Sequence, residues 1–199
     1  MKILFLGDVV GISGCSKIMN NLLKQIEINK IDFVIINAEN SDETGVGLTK
    51  EICEDFFNCG VNVITTGNHV WDQKEIMSYI EKENRLLRPY NLFEPSPGKG
   101  FEIYETSNNL KIGVLNLMGN VFMKKCEDVF ETSKKFLKNY QLKEDYDLLI
   151  VDFHGEITSE KNAIGHFFDG KATLVVGTHT HIPVSYTHLR AHETRGNLV

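Results

Sequence analysis

"DFVIINAEN" (residues 32–40) places four apolar residues in a row, Phe33 to Ile36, and then Asn37, Glu39 and Asn40 around a single alanine. A short, uninterrupted, β-branched run without polar alternation predicts a strand buried on both faces, as in a parallel sheet covered by helices. Two amides and a carboxylate directly after it are costly to bury unless they meet partners or an ion. The fold turns on whether this pattern, an apolar strand that ends in chemistry, recurs.

It recurs four times. "KILFLG" (2–7) predicts a strand ending in Gly7-Asp8, and "NVITTG" (62–67) one that runs into Asn68-His69. "DLLIVDFHG" (147–155) carries Asp152 and His154, and "ATLVVGTHTH" (172–181) carries His179 and His181. Between the strands lie helical patterns. In "KIMNNLLKQIEIN" (17–29), Ile18, Leu22 and Ile26 share one face; "TKEICEDFFNC" (49–59) has Thr49 as N-cap and Gly60 as stop. "QKEIMSYIEKE" (73–83) predicts a third helix, and helical periodicity returns near 126–138 and 159–168. "GFEIYET" and "LKIGVLNLMG", joined by "SNN", predict a hairpin. Strands alternating with helices mean an α/β fold with a largely parallel first half. With no repeats, linkers or long charge runs, one domain is expected.

Composition narrows the function. The chain has 199 residues, 42% of them hydrophobic and 24% charged, with a net charge of −6. That size suits one domain with a proper core. The acidic balance argues against a groove for long nucleic acid, which needs clustered Lys and Arg, yet a bound cation can still serve a nucleotide-sized substrate. Cys15, Cys53, Cys59 and Cys126 include no C-x-x-C pair, so they read as small buried hydrophobes of a reducing compartment. Gly7-Asp8 interrupts the first apolar run before a signal sequence can develop, and no window approaches a membrane span. A cytoplasmic protein is expected.

Each strand-end residue has an ordinary reading alone: Asp as a helix cap, Asn as a turn former, His as a hydrogen-bonded structural residue. Gly7, Gly11 and Gly14 do not match a dinucleotide-binding G-x-G-x-x-G, and Asp8 stands where backbone should meet pyrophosphate. Convergence is the stronger signal. Carboxylate, amide and imidazole groups gathered at one sheet edge, where α/β folds bind ligands, repel or go unsatisfied without a cation. Oxygen and imidazole donors without thiolate suit borderline divalent ions such as Mn, Fe, Co or Zn. Two such ions bridged by a carboxylate are a known arrangement for attack on phosphorus.

"GD" (7–8), "GNH" (67–69), "FHGE" (153–156) and "GTHTH" (177–181) resemble, in order, the motifs of calcineurin-like metallophosphoesterases. "LFLGDVVG", "NAEN", "TTGNHVWD" and "VVGTHTHIP" resemble the YmdB-like branch, from residue 1 to about Pro183. Val10 stands where the wider superfamily has the histidine of G-D-x-H, and Glu39 where it has a bridging Asp; both are features of the branch. The resemblance implies an α/β/β/α sandwich with a parallel-rich first sheet and a second sheet left incomplete at the C-terminus. It implies one ion held by Asp8, Glu39, Asn40 and His181, and a second held by Glu39, Asn68, His154 and His179. The ions would be Fe, Mn or Zn, divalent or of mixed valence. His69 would protonate the leaving oxygen. The implied activity is a phosphodiesterase attacking small diesters with a metal-bound hydroxide, cyclic nucleotides such as 2′,3′-cyclic AMP among them.

The reading from another class is a metal-containing regulatory protein that binds a nucleotide or partner with little turnover; a dinuclear amide hydrolase is disfavoured by the motif order. Base recognition would fall to loops such as "SDETGVG" (41–47) and "GNVFMKK" (119–125). Oligomeric state is not legible in the letters, and a homo-oligomer stays open. After Pro183, "VSYTHLRAHETRGNLV" has no periodicity and resembles translated sequencing adaptor. The expected division is therefore a metallophosphoesterase domain over 1–183 and a non-native tail over 184–199, with His188 and His192 outside the site.

Overall fold

A computed structural model of the chain describes residues 1–181; the tail expected from 184, with His188 and His192, lies outside the described residues. Two compact units emerge. The first comprises Met1–Pro89 with Pro95–Lys99, and the second Tyr90–Glu94 with the chain from Gly100 onward.

The first unit runs β1 (Ile3–Leu6), α1 (Gly11–Asn29), β2 (Phe33–Asn37), α2 (Lys50–Asn58), β3 (Val63–Thr65), α3 (Ile76–Ile80) and β4 (Leu86–Leu87). Its four strands lie in chain order and every neighbouring pair is parallel. All five residues of β2 are buried, and it pairs on both sides, Ile36 meeting Leu6 and Ile64. This is the doubly covered strand that the apolar run demands.

Helix boundaries differ from the periodic pattern in two places. Helix α1 starts at Gly11, six residues earlier than the apolar stripe suggests. The Gly11 N–H bonds the Asn40 carbonyl at 2.8 Å, so the β2 terminus ties down a start that "GISGCS" does not advertise. Helix α3 is shorter than 73–83, because the residues before it are engaged elsewhere. Gln73 Nε2 donates to the Val46 carbonyl at 3.1 Å, and Glu75 accepts from the Lys50 N–H at 2.8 Å. The short β4 follows it, too brief for any periodic signal. Helix α2 keeps its expected ends, with Thr49 Oγ1 accepting from the Ile52 N–H at 3.3 Å and Gly60 just beyond at a φ of 100°.

The second unit runs β5 (Phe101–Glu105), β6 (Lys111–Met118), α4 (Val129–Asn139), β7 (Leu148–Gly155), α5 (Thr158–Phe167) and β8 (Leu174–His179). β5 and β6 form the expected antiparallel hairpin, its turn helped by Asn109 at a φ of 58°. β6, β7 and β8 are mutually parallel. Their core packs Phe101 edge-on to Phe136 at 4.8 Å, with Tyr146, Phe153, Ile164 and Phe168 around them. The register sets Met118, His154 and Thr178 side by side, which aligns the carboxyl ends of the three strands. The α/β class and the parallel-rich first sheet are as expected. Among the described residues, no helix is long and apolar enough to cross a membrane.

The α2 cap yields a direct check. Thr49→Ala removes the side-chain acceptor from Ile52 N–H and should lower stability by about 1 kcal/mol, read from denaturant unfolding; an unchanged midpoint would mean that this cap is idle.

Candidate metal centre and active-site residues

In the first unit, three strand ends are laced together. The Val9 N–H bonds the Asn37 carbonyl at 3.0 Å, Val10 bridges Asn40, and the Ala38 N–H bonds the Thr65 carbonyl at 3.1 Å. These bonds fix the backbone beside Asp8, Glu39, Asn40, Asn68 and His69. Glu39 has no solvent exposure, and its carboxylate accepts from the His69 N–H at 3.0 Å and from Asn40 Nδ2 at 3.3 Å. Asp8 and Asn68 are half-buried at the ends of β1 and β3. His69 Nδ1 lies 2.6 Å from Asp72 Oδ2, both side chains 30% exposed. That bond holds the Nδ1 face and leaves Nε2 as the ring's outward nitrogen.

In the second unit, five side chains form a continuous line. Thr178 Oγ1 donates to Asp152 Oδ1 at 2.6 Å, and His154 Nδ1 meets the same hydroxyl at 3.0 Å. Since the hydroxyl proton points at Asp152, its oxygen must accept from His154, so His154 carries its proton on Nδ1. At the other end, His179 Nε2 lies 2.9 Å from Glu156 Oε2, which places the His179 proton on Nε2. His154 Nε2 and His179 Nδ1 then face each other at 3.1 Å. Two imidazole lone pairs at that distance repel unless one ring gains a second proton or a cation binds them.

The remaining predicted ligand behaves differently. β8 ends at His179, whose φ of 85° is left-handed, so the strand stops short of the 172–181 expected from the sequence. His181 lies two residues beyond, exposed.

A family model for the YmdB-like protein matches residues 4–195. The chain belongs to the YmdB-like family. A 2′,3′-cyclic-nucleotide 2′-phosphodiesterase of Bacillus subtilis is 41% identical over 182 residues, covering 92% of this chain and 67% of that protein. A putative phosphatase/phosphodiesterase of Mycoplasma pneumoniae is 42% identical over 189 residues, covering 92% and 65%. Among solved structures, a hypothetical protein of Thermus thermophilus superposes with a TM-score of 0.85 at 35% identity, covering 94% of this chain and 70% of that one. A novel phosphatase of Mycoplasma pneumoniae superposes with a TM-score of 0.83 at 40% identity, covering 93% and 66%. The chain thus spans about two thirds of the length of these YmdB-like relatives, and it carries the sequence and fold of a phosphoric-diester hydrolase.

The donor set fits the divalent metal that a metallophosphoesterase-type family implies. Metal-binding histidines commonly donate their other ring N–H to a carboxylate or hydroxyl, which fixes the tautomer and raises basicity. His154 and His179 both do this, through Thr178 and Glu156. Within the first unit, Glu39 is a carboxylate with no solvent exposure, a hard oxygen donor. Sequence reasoning missed these outer partners. Glu156, Asp72 and Thr178 stand inside the quoted motifs "FHGE", "TTGNHVWD" and "GTHTH", and Asp152 inside "DLLIVDFHG", but the link from Asp152 through Thr178 to His154 needs the register that pairs their strands.

Thr178→Val removes the hydroxyl that orients His154 and abandons the buried Asp152 carboxylate. Affinity for divalent metal should fall about 10–100-fold, with Thr178→Ser restoring it. Metal titration monitored by calorimetry checks this, and a Val variant that binds like the parent would remove Thr178 from the metal shell.

Proposed function

We propose that the protein is a metal-dependent phosphodiesterase of small diesters, with cyclic nucleotides such as 2′,3′-cyclic AMP as substrates and Fe, Mn or Zn as its two ions. Its ligands would be Asp8, Glu39, Asn40, Asn68, His154, His179 and His181, grouped as the motif order implies. The observation that carries the reading is the ordered strand-end set of carboxylate, amide and imidazole donors, in a chain 41% identical to a protein named for that reaction. Bound divalent ions supply Lewis acidity, which neutralises charge on phosphoryl oxygens and lowers the pKa of water.

The chain's own residues then have separable tasks. Glu39 holds the His69 backbone N–H at 3.0 Å, which fixes where that residue leaves β3. Asp72 grips His69 Nδ1 at 2.6 Å, so the ring's proton for the leaving alkoxide is delivered from Nε2. When the 2′- or 3′-oxygen departs, it accepts that proton, while Asp72 holds the ring in place through Nδ1. His154 and His179, each oriented by an outer partner, would hold an ion through their remaining ring nitrogens.

Metal content and diesterase turnover, measured together on the same preparation, test the reading. Turnover of 2′,3′-cyclic AMP that disappears on chelation and returns with metal is expected. Two ions with tight nucleotide binding and no turnover would instead identify a regulatory binding protein.

Glu39→Gln should lower metal occupancy and abolish turnover; near-parental metal content and rate would sink the two-ion centre. His69→Ala should retain metal yet lose activity by about 10²–10⁴-fold, with a smaller loss for a nitrophenyl diester, whose leaving group needs little protonation. Equal losses on both substrates would make His69 a positioning residue.

A further inference from the structure

Phe122 is the most exposed large hydrophobic side chain among the described residues, 84% accessible, and its backbone has a φ of 61°. Both features are unfavourable. The left-handed region crowds a residue that bears a Cβ, and an aromatic ring left in water gives up its burial. Strain of this sort persists only where the surroundings enforce it, and here they do. Buried Glu160 accepts from the Asn120 N–H at 2.8 Å, and Asn120 Oδ1 accepts from the Val129 N–H at 2.9 Å. Asn91, with no solvent exposure, donates to the Met118 and Glu127 carbonyls at 2.8 and 3.0 Å and accepts from the Met118 N–H at 2.9 Å. The loop is therefore a rigid mount with an aromatic ring at its tip.

Its position says what the ring is for. The loop leaves the carboxyl end of β6, where Met118 pairs with His154 and the Gly119 N–H bonds the His154 carbonyl at 2.9 Å. Phe122 follows three residues later, and two exposed lysines, Lys124 and Lys125, come next. An exposed ring without hydrogen-bonding atoms, followed by two lysines on a loop whose start is bonded to His154, matches a nucleotide: a flat base on the ring, with the phosphate toward His154. We propose that Phe122 is the base-stacking residue of the substrate site, which accepts nucleoside cyclic phosphates generally and favours purines through stacking area. The proposal rests on the diesterase reading. A phenyl ring offers no donor or acceptor, so it recognises a base as a class and does not select adenine among purines.

The test compares 2′,3′-cyclic AMP with a base-free diester, methyl riboside 2,3-cyclic phosphate. Phe122→Ala should raise KM for the nucleotide about 5–150-fold, the range of one base–aromatic stack, with kcat little changed. KM for the base-free diester should not move, and Phe122→Trp should restore nucleotide binding. Phe122→Gly should melt at higher temperature than Phe122→Ala, since glycine accepts the left-handed backbone. If the parent protein turns over neither diester, the diesterase reading fails. The stacking proposal is then decided by equilibrium binding of 2′,3′-cyclic AMP: a weaker Ala variant supports it, while equal binding, or none by either protein, overturns it. Equal KM shifts for both diesters also overturn it. So does an Ala variant that dissociates an oligomer in sedimentation while binding nucleotide normally, because Phe122 would then be a contact between copies of this chain.

Discussion

A carboxylate without solvent exposure organises the first unit. Burying a charged Glu39 costs on the order of several kcal/mol, and it is tolerated only where donors or a cation compensate. The His69 N–H and Asn40 Nδ2 supply two donors, and each depends on backbone set by another strand. If β3 slipped by one residue against β2, the His69 N–H would move away and every side chain of β3 would change face. The parallel register and the buried carboxylate therefore specify each other: the sheet delivers the donors, and the charge penalises any sheet that does not.

The second unit solves a matching problem through side-chain hydrogen bonds between neighbouring strands. Asp152 is fully buried in mid-strand, and its bond from Thr178 makes that hydroxyl an acceptor for His154. A proton position on one ring is thus decided from the neighbouring strand, by the pairing of β7 with β8. Glu156 settles the His179 tautomer in the same manner from the loop after β7. The lone pairs that face each other at 3.1 Å follow from these outer bonds, and their repulsion is relieved by a cation or by a second proton on one ring. Two imidazole rings held this way are preorganised, and the fold has already met the cost of their alignment.

Much of this was legible in the letters. Uninterrupted apolar runs identified the long strands, because burial on both faces leaves no room for polar alternation, and the strand-end residues stood out through their shared place after those runs. Thr49 and Gly60 announced the ends of α2 through cap chemistry. What stayed hidden depends on tertiary partners. The start of α1 is set by a bond to Asn40, and α3 is shortened because Gln73 and Glu75 bind Val46 and Lys50. Two-residue β4 falls below the length at which periodicity exists. The left-handed turn at His179 also has no composition cue, since histidine seldom adopts it. Thr178 and Asp152 acquire their roles only through strand register.

The cysteines complete the account of donor choice. Burial pushes the Cys15 and Cys126 thiols up to about 11, and that of Cys53 higher still. A thiol binds metal as thiolate, so at neutral pH these three remain protonated hydrophobes. Cys126 is spent on the loop, where it takes a hydrogen bond from Asn91 at 3.3 Å, and Cys15 donates to the Ser41 carbonyl at 3.2 Å. The chain thus keeps its soft ligands protonated while it sets hard and borderline ones at strand ends. That separation favours ions that accept oxygen and imidazole over those that demand sulfur. Desolvation is the largest cause of the raised thiol pKa values, and neighbouring carboxylates such as Asp42, Glu83 and Glu160 add to it.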